Sequence, residues 1–249
     1  MNLRNDAMTT LFTCSIDDGH PADLHTAELL ERHGIRATFY IPIRNREGYP
    51  VLPAAEIRQL ASRFEIGSHT RDHCFLKSMA VDDSHTQITE GKKQLEDLLG
   101  KSVSGFCYPG GKYGRRDAEM VQSAGFRYAR TTMNLCLDSG DNAYEMPTTC
   151  QFYPHSRQVY LRNFASGGHW SQRAEILRLA IRHQDWIARI NAMFDYACRT
   201  GGVFHLWTHS RDIEELGAWD KLDQFLARVA ARLPPSQRID NARLAALCY

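Results

Sequence analysis

No CxxC pair occurs in the chain, although it carries seven cysteines: Cys14, Cys74, Cys107, Cys136, Cys150, Cys198 and Cys248. An odd, scattered set argues against both a disulfide framework and a cysteine-based zinc site. Free, mostly buried thiols in a reducing compartment are the expectation. An excess of one charge is also missing. Lys plus Arg is 30 against Asp plus Glu 29, a net charge of +1, which leaves no electrostatic footprint for nucleic acid or an anionic membrane surface. No apolar run reaches the roughly 18 residues that suggest a membrane helix. The opening MNLRNDAMTTLF has neither a long apolar core nor a small-residue cleavage site, so no secretory leader is expected and a soluble, cytoplasmic location is read from it. No repeat, low-complexity segment or Ser/Gly-rich linker divides the 249 residues, and a single domain over 1–249 is expected.

What is present is alternation. A hydrophobic fraction of 43% is enough for a substantial core. Strand-like runs at Thr10–Ile16, Ala37–Ile43, Glu65–Ser68, Gly105–Tyr108, Tyr128–Thr132, Tyr144–Thr149 and Gly202–Thr208 are separated by helical patterns. The helices are read over Ala22–His33, Ala54–Arg63, Asp82–Leu99, Arg116–Ala124, Ile176–Cys198 (one long helix or a broken one) and Asp220–Arg232. Gly34, Gly100 and Gly125 act as stops, and Pro53 marks a start. Such alternation means βαβ units and a parallel sheet: an α/β fold of about seven parallel strands, closed or nearly closed as a (β/α) barrel. Residues 134–172 read as a loop excursion or a small hairpin.

Chemistry-bearing residues gather where these strands end. Asp17 and Asp18 follow the first strand, His69 follows Glu65–Ser68 with His73 four residues on, Tyr108-Pro109 follows the next, and His209 closes GVFHLWTH. In a parallel barrel those ends meet on one face, the face that carries barrel active sites. Asp-Asp-Gly alone is ordinary turn chemistry. An isolated HxxxH is more often a cap plus a solvated ring than a ligand pair. Two imidazoles and one surfacing carboxylate together make a three-ligand set with open positions, as a hydrolytic zinc site needs.

SIDDG, SHTRDH, FCYPGG and FHLWTHS, in that order, resemble the motifs of the metal-dependent polysaccharide deacetylases of the NodB homology group, carbohydrate esterase family 4. The resemblance covers roughly residues 10 to 210 and implies a distorted (β/α) barrel that removes N-acetyl, and sometimes O-acetyl, groups from sugars. It implies Asp17 as general base, Asp18, His69 and His73 as ligands of one divalent ion (zinc first, with cobalt, nickel or iron as alternatives), and His209 as general acid. Thr70 stands where the family has a loop-supporting Ser or Thr. A backbone N–H, that of Tyr108, is the candidate oxyanion donor, and Tyr108, Pro109, Arg130 and Trp207 are the candidate substrate-contacting residues.

The chain departs from the pattern in two places. Tyr108 precedes the proline of the third motif, where many family members have an arginine, and the Asp-rich fourth motif is replaced by YARTT. Arg130 is therefore either the replacement cation or an ordinary ion-pair arginine. Trp207 is either an apolar wall for an acetyl methyl or core. His20 reads as a loop histidine beside Pro21 rather than a ligand, and His205 as a partner behind the site or a satisfied buried histidine. Asp212, Glu214 and Glu215 are each candidates to hydrogen-bond His209 or to cap a helix. FASGGHW (Phe164–Trp170) reads as a loop. The expected substrate is an acylated amino sugar or a nucleotide- or lipid-linked sugar precursor for surface polysaccharide, with no nucleic-acid partner. Cleavage of another non-peptide C–N bond, and a catalytically silent carbohydrate- or metal-binding protein, are the alternatives.

Overall fold

In the computed structural model, which describes residues 9–249, the first strand is the hub. Most of the N-terminal stretch read above for a leader lies outside the described residues. β1 (Thr10–Asp17) is buried along its whole length and pairs in parallel with β2 (Thr38–Ile41), β7 (Gly202–His209) and the short β8 (Arg238–Ile239). With β3 (Glu65–Ser68), β4 (Gly105–Cys107), β5 (Tyr128–Arg130) and β6 (Cys150–Gln151), the order is β5-β4-β3-β2-β1-β7-β6. A lone parallel bridge between Arg130 and Met146 leads from β5 toward the approach to β6. Seven parallel strands thus curl into a distorted (β/α) barrel, with β8 laid against the start of β1.

Strand alternation decides what each side of the barrel wall holds. Phe12, Cys14 and Ile16 enter the helix-covered core, where the Phe12 ring stacks on Phe204 at 6.1 Å and meets Phe194 edge-on at 6.2 Å. Thr13, Ser15 and Asp17 alternate with them and take polar partners instead. Large rings share this polar side, and glycines make room for them. A Cβ on Gly67 would come within 2.4 Å of the Tyr40 ring, and one on Gly105 within 2.2 Å of the Tyr128 hydroxyl. Tyr128 donates to Glu65 Oε1 at 2.7 Å, and Asn241 Nδ2 to the Tyr40 hydroxyl at 2.9 Å. Asn241 opens the last helix, so the C-terminal segment buries its first residue among the polar groups at this end of the sheet.

The helices are α1 (Asp23–Arg32), α2 (Ala54–Ala61), α3 (Val81–Leu99), α4 (Arg115–Ser123), α5 (Arg157–Gly167), α6 (Trp170–Arg182), α7 (Trp186–Thr200), α8 (Ser210–Glu215), α9 (Trp219–Arg232) and α10 (Asn241–Cys248). Through β5 the elements fall within a few residues of their sequence-predicted spans, and β3 matches at both ends. Beyond β5 the strand at Gly202–His209 and the helix at Trp219–Arg232 match within one residue, while the stretch between them and β5 diverges. The strand expected over Tyr144–Thr149 is a short helical turn, Ala143–Glu145, then the bridge at Met146; sheet pairing resumes only at Cys150–Gln151, because Pro147 has no N–H to give. The helix expected over Ile176–Cys198 is two, since Asp185 caps a new start by accepting from the Ala188 N–H at 2.7 Å. Residues 134–172 hold α5 and no hairpin. Only Tyr160 of α5 is buried, so its sequence carries little periodic signal. The FASGGHW segment runs from α5 into α6 and is mostly helical. Of the cysteines, Cys14, Cys74, Cys107, Cys136 and Cys150 are buried, and all seven are free thiols.

Candidate metal centre and active site

The turn after β1 is tighter than the glycine alone suggests. Asp18 itself takes a left-handed backbone, φ +82°, ahead of Gly19 at +64°. A non-glycine residue there is costly, and the result is that Asp17 and Asp18 both serve one pocket. Across from them, Thr70 (φ +65°) and His73 (φ +53°) are also left-handed. Thr70 Oγ1 accepts the Cys74 N–H at 3.0 Å and ties the His69–His73 loop closed. Helix α3 presses on that loop at Gly91, where a Cβ would lie 2.8 Å from the Arg71 nitrogen.

Asp18, His69 and His73 converge, each with a ligand atom within 4.8 Å of the others. Asp18 Oδ1 lies 3.1 Å from His73 Nε2 and 3.6 Å from His69 Nε2. His69 Nδ1 lies 2.8 Å from the Cys107 carbonyl oxygen, so the ring carries its hydrogen there and keeps the Nε2 lone pair for the pocket. Asp18 Oδ1 is buried without a hydrogen-bond partner. Burial works to raise the Asp18 pKa, but the two facing imidazoles and the charge of His209 outweigh it and hold the carboxyl well below its ordinary range. A buried, ionised, underpartnered carboxylate facing two imidazole nitrogens fits a divalent ion with nitrogen and oxygen ligands.

Asp17 faces a different cation. Arg130 Nη2 donates to Asp17 Oδ1. The guanidinium is fully enclosed, 5.3 Å from the Tyr40 ring and 5.1 Å from the Trp207 ring. Burial would lower the Arg130 pKa, but the Asp17 carboxylate more than offsets this and keeps it charged. The smaller side chain at this end of β4, Cys107, places Sγ 3.8 Å from Asp17 Oδ2. Of the two readings of Arg130, the structure shows the buried cation paired with Asp17; having no exposed surface, Arg130 does not contact substrate.

His209 Nδ1 lies 2.8 Å from Asp212 Oδ2, while its Nε2 points toward Asp18 Oδ2 at 3.9 Å. Burial would lower the His209 pKa, but the Asp212 hydrogen bond and the charges of Asp18 and Asp17 push it up to about 9. Asp212, of the three acidic candidates, is thus the imidazole's partner. Gln151 Nε2 also approaches Nδ1, at 3.4 Å, a neighbour that sequence alone did not suggest. Trp207 sits edge-on to His209 with ring centres 5.3 Å apart and is partly exposed.

Tyr108 and Pro109 are both buried in the wall behind the site and present no side chain to a substrate. The Tyr108 N–H already donates to the Arg130 carbonyl at 3.3 Å and its hydroxyl to the Tyr144 carbonyl at 3.0 Å, so it is not the oxyanion donor. His20 Nδ1 accepts the Ala22 N–H at 3.2 Å, a local turn contact. His205 is enclosed, with Nε2 2.9 Å from Ser15 Oγ and Nδ1 3.1 Å from the Pro147 oxygen; burial pushes its pKa down to about 3.

Residues 8–129 match the family model described as polysaccharide deacetylase. Over 120 residues the chain is 22% identical to a Bacillus subtilis (strain 168) protein provisionally named polysaccharide deacetylase YxkH, covering 47% of this chain and 43% of that protein. The match therefore spans under half the length of that curated relative. Among solved structures, a Mycobacterium smegmatis protein provisionally described as a polysaccharide deacetylase superposes with a TM-score of 0.65 at 18% identity, over 98% of this chain and 91% of its own. The chitin deacetylase of the fungal pathogen Colletotrichum lindemuthianum gives 0.60 at 12% identity, over 94% and 86%. At these identities the structural likeness is one of fold. The family match runs from the start of β1 into β5, across the strand ends that carry Asp17, Asp18, His69 and His73, so this part of the chain is similar to the polysaccharide deacetylase family.

Proposed function

We propose that the chain is a metal-dependent hydrolase that removes an N-acetyl or related acyl group from an amino sugar or a sugar-linked precursor. The observation that carries this reading is the underpartnered Asp18 Oδ1 facing His69 and His73, with a second carboxylate, Asp17, held apart by its own arginine. Asp18, His69 and His73 are the residues to hold one divalent ion, zinc by preference. When bound, such an ion polarises the acyl carbonyl and makes a water acidic enough to be a nucleophile near neutral pH.

The chain's own groups have separable tasks in this reading. Asp17 Oδ1 is committed to Arg130, which leaves Oδ2 to accept the proton of the attacking water. Arg130 fixes that carboxylate and keeps it from drifting toward the cation site. His209, protonated at neutral pH, delivers its Nε2 proton to the departing amine nitrogen, and Asp212 steadies the imidazolium at Nδ1. The open part of the Trp207 ring offers an apolar wall for a small acyl methyl.

The test is acetate and formate release from a panel of N-acylated sugars, with the chain zinc-loaded and again after chelation. Acid release that vanishes with chelator and returns with zinc supports the reading. No release from any sugar by metal-loaded protein would sink it.

A further inference from the structure

We propose that Tyr49 is a specificity-determining residue, an aromatic platform at the rim of the metal pocket on which the pyranose ring of the substrate stacks; this rests on the reading of an amino sugar as the substrate. Tyr49 lies on the segment that joins β2 to α2, and that segment is tied to both sides of the pocket. On one side the Arg46 N–H donates to the Asp72 carbonyl at 3.2 Å, and Glu47 Oε1 lies 3.6 Å from His73 Nδ1. On the other the Leu52 N–H donates to the Gly19 carbonyl at 2.8 Å, beside Asp18. Between these ties the Arg211 guanidinium lies 3.8 Å from the centre of the Tyr49 ring. Arg211 is two residues on from His209, so the ring stands between the metal-ligand side of the pocket and the side of the general acid.

The local sequence, Gly48-Tyr49-Pro50, holds the ring out at this rim. Gly48 takes φ +89°, and a Cβ there would meet nothing within 4 Å, so the glycine serves the turn and not close packing. Pro50 confines Tyr49 to an extended backbone, which limits how far the ring can wander. Arg211 covers one face of the ring. Its ion pairs are long, with Nη2 3.6 Å from Asp212 Oδ1 and Nε 3.7 Å from Glu215 Oε1, so stacking on the ring, not hydrogen bonding, sets where the guanidinium lies. Tyr49 nevertheless stays 41% exposed. With one face under Arg211, that exposure belongs to the opposite face and the edge. A flat apolar surface beside a polar pocket suits a pyranose, whose axial C–H groups form an apolar face while its hydroxyls stay at the edge in water. Trp207, on β7 beside His209, borders the acyl end of such a substrate, and Tyr49 borders its ring.

Tyr49→Leu keeps an apolar side chain and removes the flat face, while Tyr49→Phe keeps the face. In the zinc-loaded full chain, with N-acetylglucosamine tetramer as probe, Tyr49→Leu is expected to raise KM about tenfold with kcat within about twofold, the pattern of a contact made equally in ground and transition states. Tyr49→Phe is expected to stay within about twofold of wild type in both constants. With N-acetylethanolamine, an acetamide without a sugar ring, both variants are expected to match wild type. An unchanged KM in Tyr49→Leu, a loss carried by kcat, or an equal loss on the ringless probe overturns the proposal. Calorimetric titration of the tetramer into zinc-loaded chains that also carry Asp17→Asn, to suppress turnover, gives a readout independent of chemistry. Adding Tyr49→Leu is expected to raise Kd about tenfold; an unchanged Kd, or no binding with Tyr49 in place, overturns the proposal. A wild-type chain that binds the tetramer but releases no acetate counts against the deacetylase reading, while the titration still decides the role of Tyr49.

Discussion

Asp17 and Arg130, 113 positions apart, meet as a buried ion pair between the ends of β1 and β5, with Arg130 Nη2 donating to Asp17 Oδ1. The guanidinium fills the space between the Tyr40 and Trp207 rings, so the pair is set by the barrel interior as a whole and not by either strand alone. It gives the two adjacent aspartates different electrostatic surroundings: a fixed guanidinium for Asp17 and a pair of imidazole nitrogens for Asp18.

Removing the guanidinium leaves a carboxylate that is only 3% exposed without its cation. Arg130→Met is expected to destabilise the chain by about 3–5 kcal/mol, read as a lower midpoint in urea unfolding. Arg130→Lys is expected to recover little of this, because a point charge does not reproduce the planar fork. An Arg130→Met chain with the wild-type midpoint would show that the pair contributes nothing net.

Metal retention and turnover should separate by residue. His69→Ala is expected to lose most of its bound ion, whereas Asp17→Asn is expected to keep about one ion per chain and lose activity by roughly a hundredfold or more. Elemental analysis beside acetate release reads both. An Asp17→Asn chain that still turns over would reassign the base.

The alkaline limb of the activity profile should follow His209. Its proton is held up to about pH 9, against burial, chiefly by Asp212, and a general acid works only while protonated, so activity falls as pH rises through that value. A divalent ion beside Asp18 repels the imidazolium, which places the limb at or below about 9. In Asp212→Asn the limb is expected to move toward neutral pH, with kcat reduced on its alkaline side. A limb that stays put would show that Asp212 does not set the acid.

Glu65 gives stability a pH dependence of the opposite sense from that of a salt-bridged carboxylate. Burial pushes its pKa from 4.5 up to about 7, although hydrogen bonds from Thr38, Tyr128 and the Ala242 N–H oppose the rise. The folded chain therefore holds this proton more tightly than the unfolded one. The corresponding stability is fully present below about pH 4.5 and is lost as pH rises through about 7. Glu65→Gln is expected to flatten the thermal midpoint across that window relative to wild type. Parallel curves for the two proteins would exclude Glu65 as the source.

The sequence by itself determined the local events. Alternating strands and helices through β5, the glycine stops and the Asp-Asp-Gly turn after the first strand are all written within a few neighbouring residues. That is why Asp17, Asp18, His69, His73 and His209 could be placed on one barrel face, since parallel strand ends converge whatever lies between them. What only the tertiary structure decided were the partners. Arg130 could have been any ion-pair arginine until β5 placed it inside the barrel opposite Asp17. Asp212 could not be told from Glu214 or Glu215 until α8 turned it onto His209. Tyr108 looked like an oxyanion donor until sheet pairing took its N–H. Gln151 carried no signal at all, because a two-residue strand has no period to read. Periodicity and turn chemistry act over a few residues, whereas the identity of a buried partner depends on which chain segments the closed sheet brings within hydrogen-bonding reach.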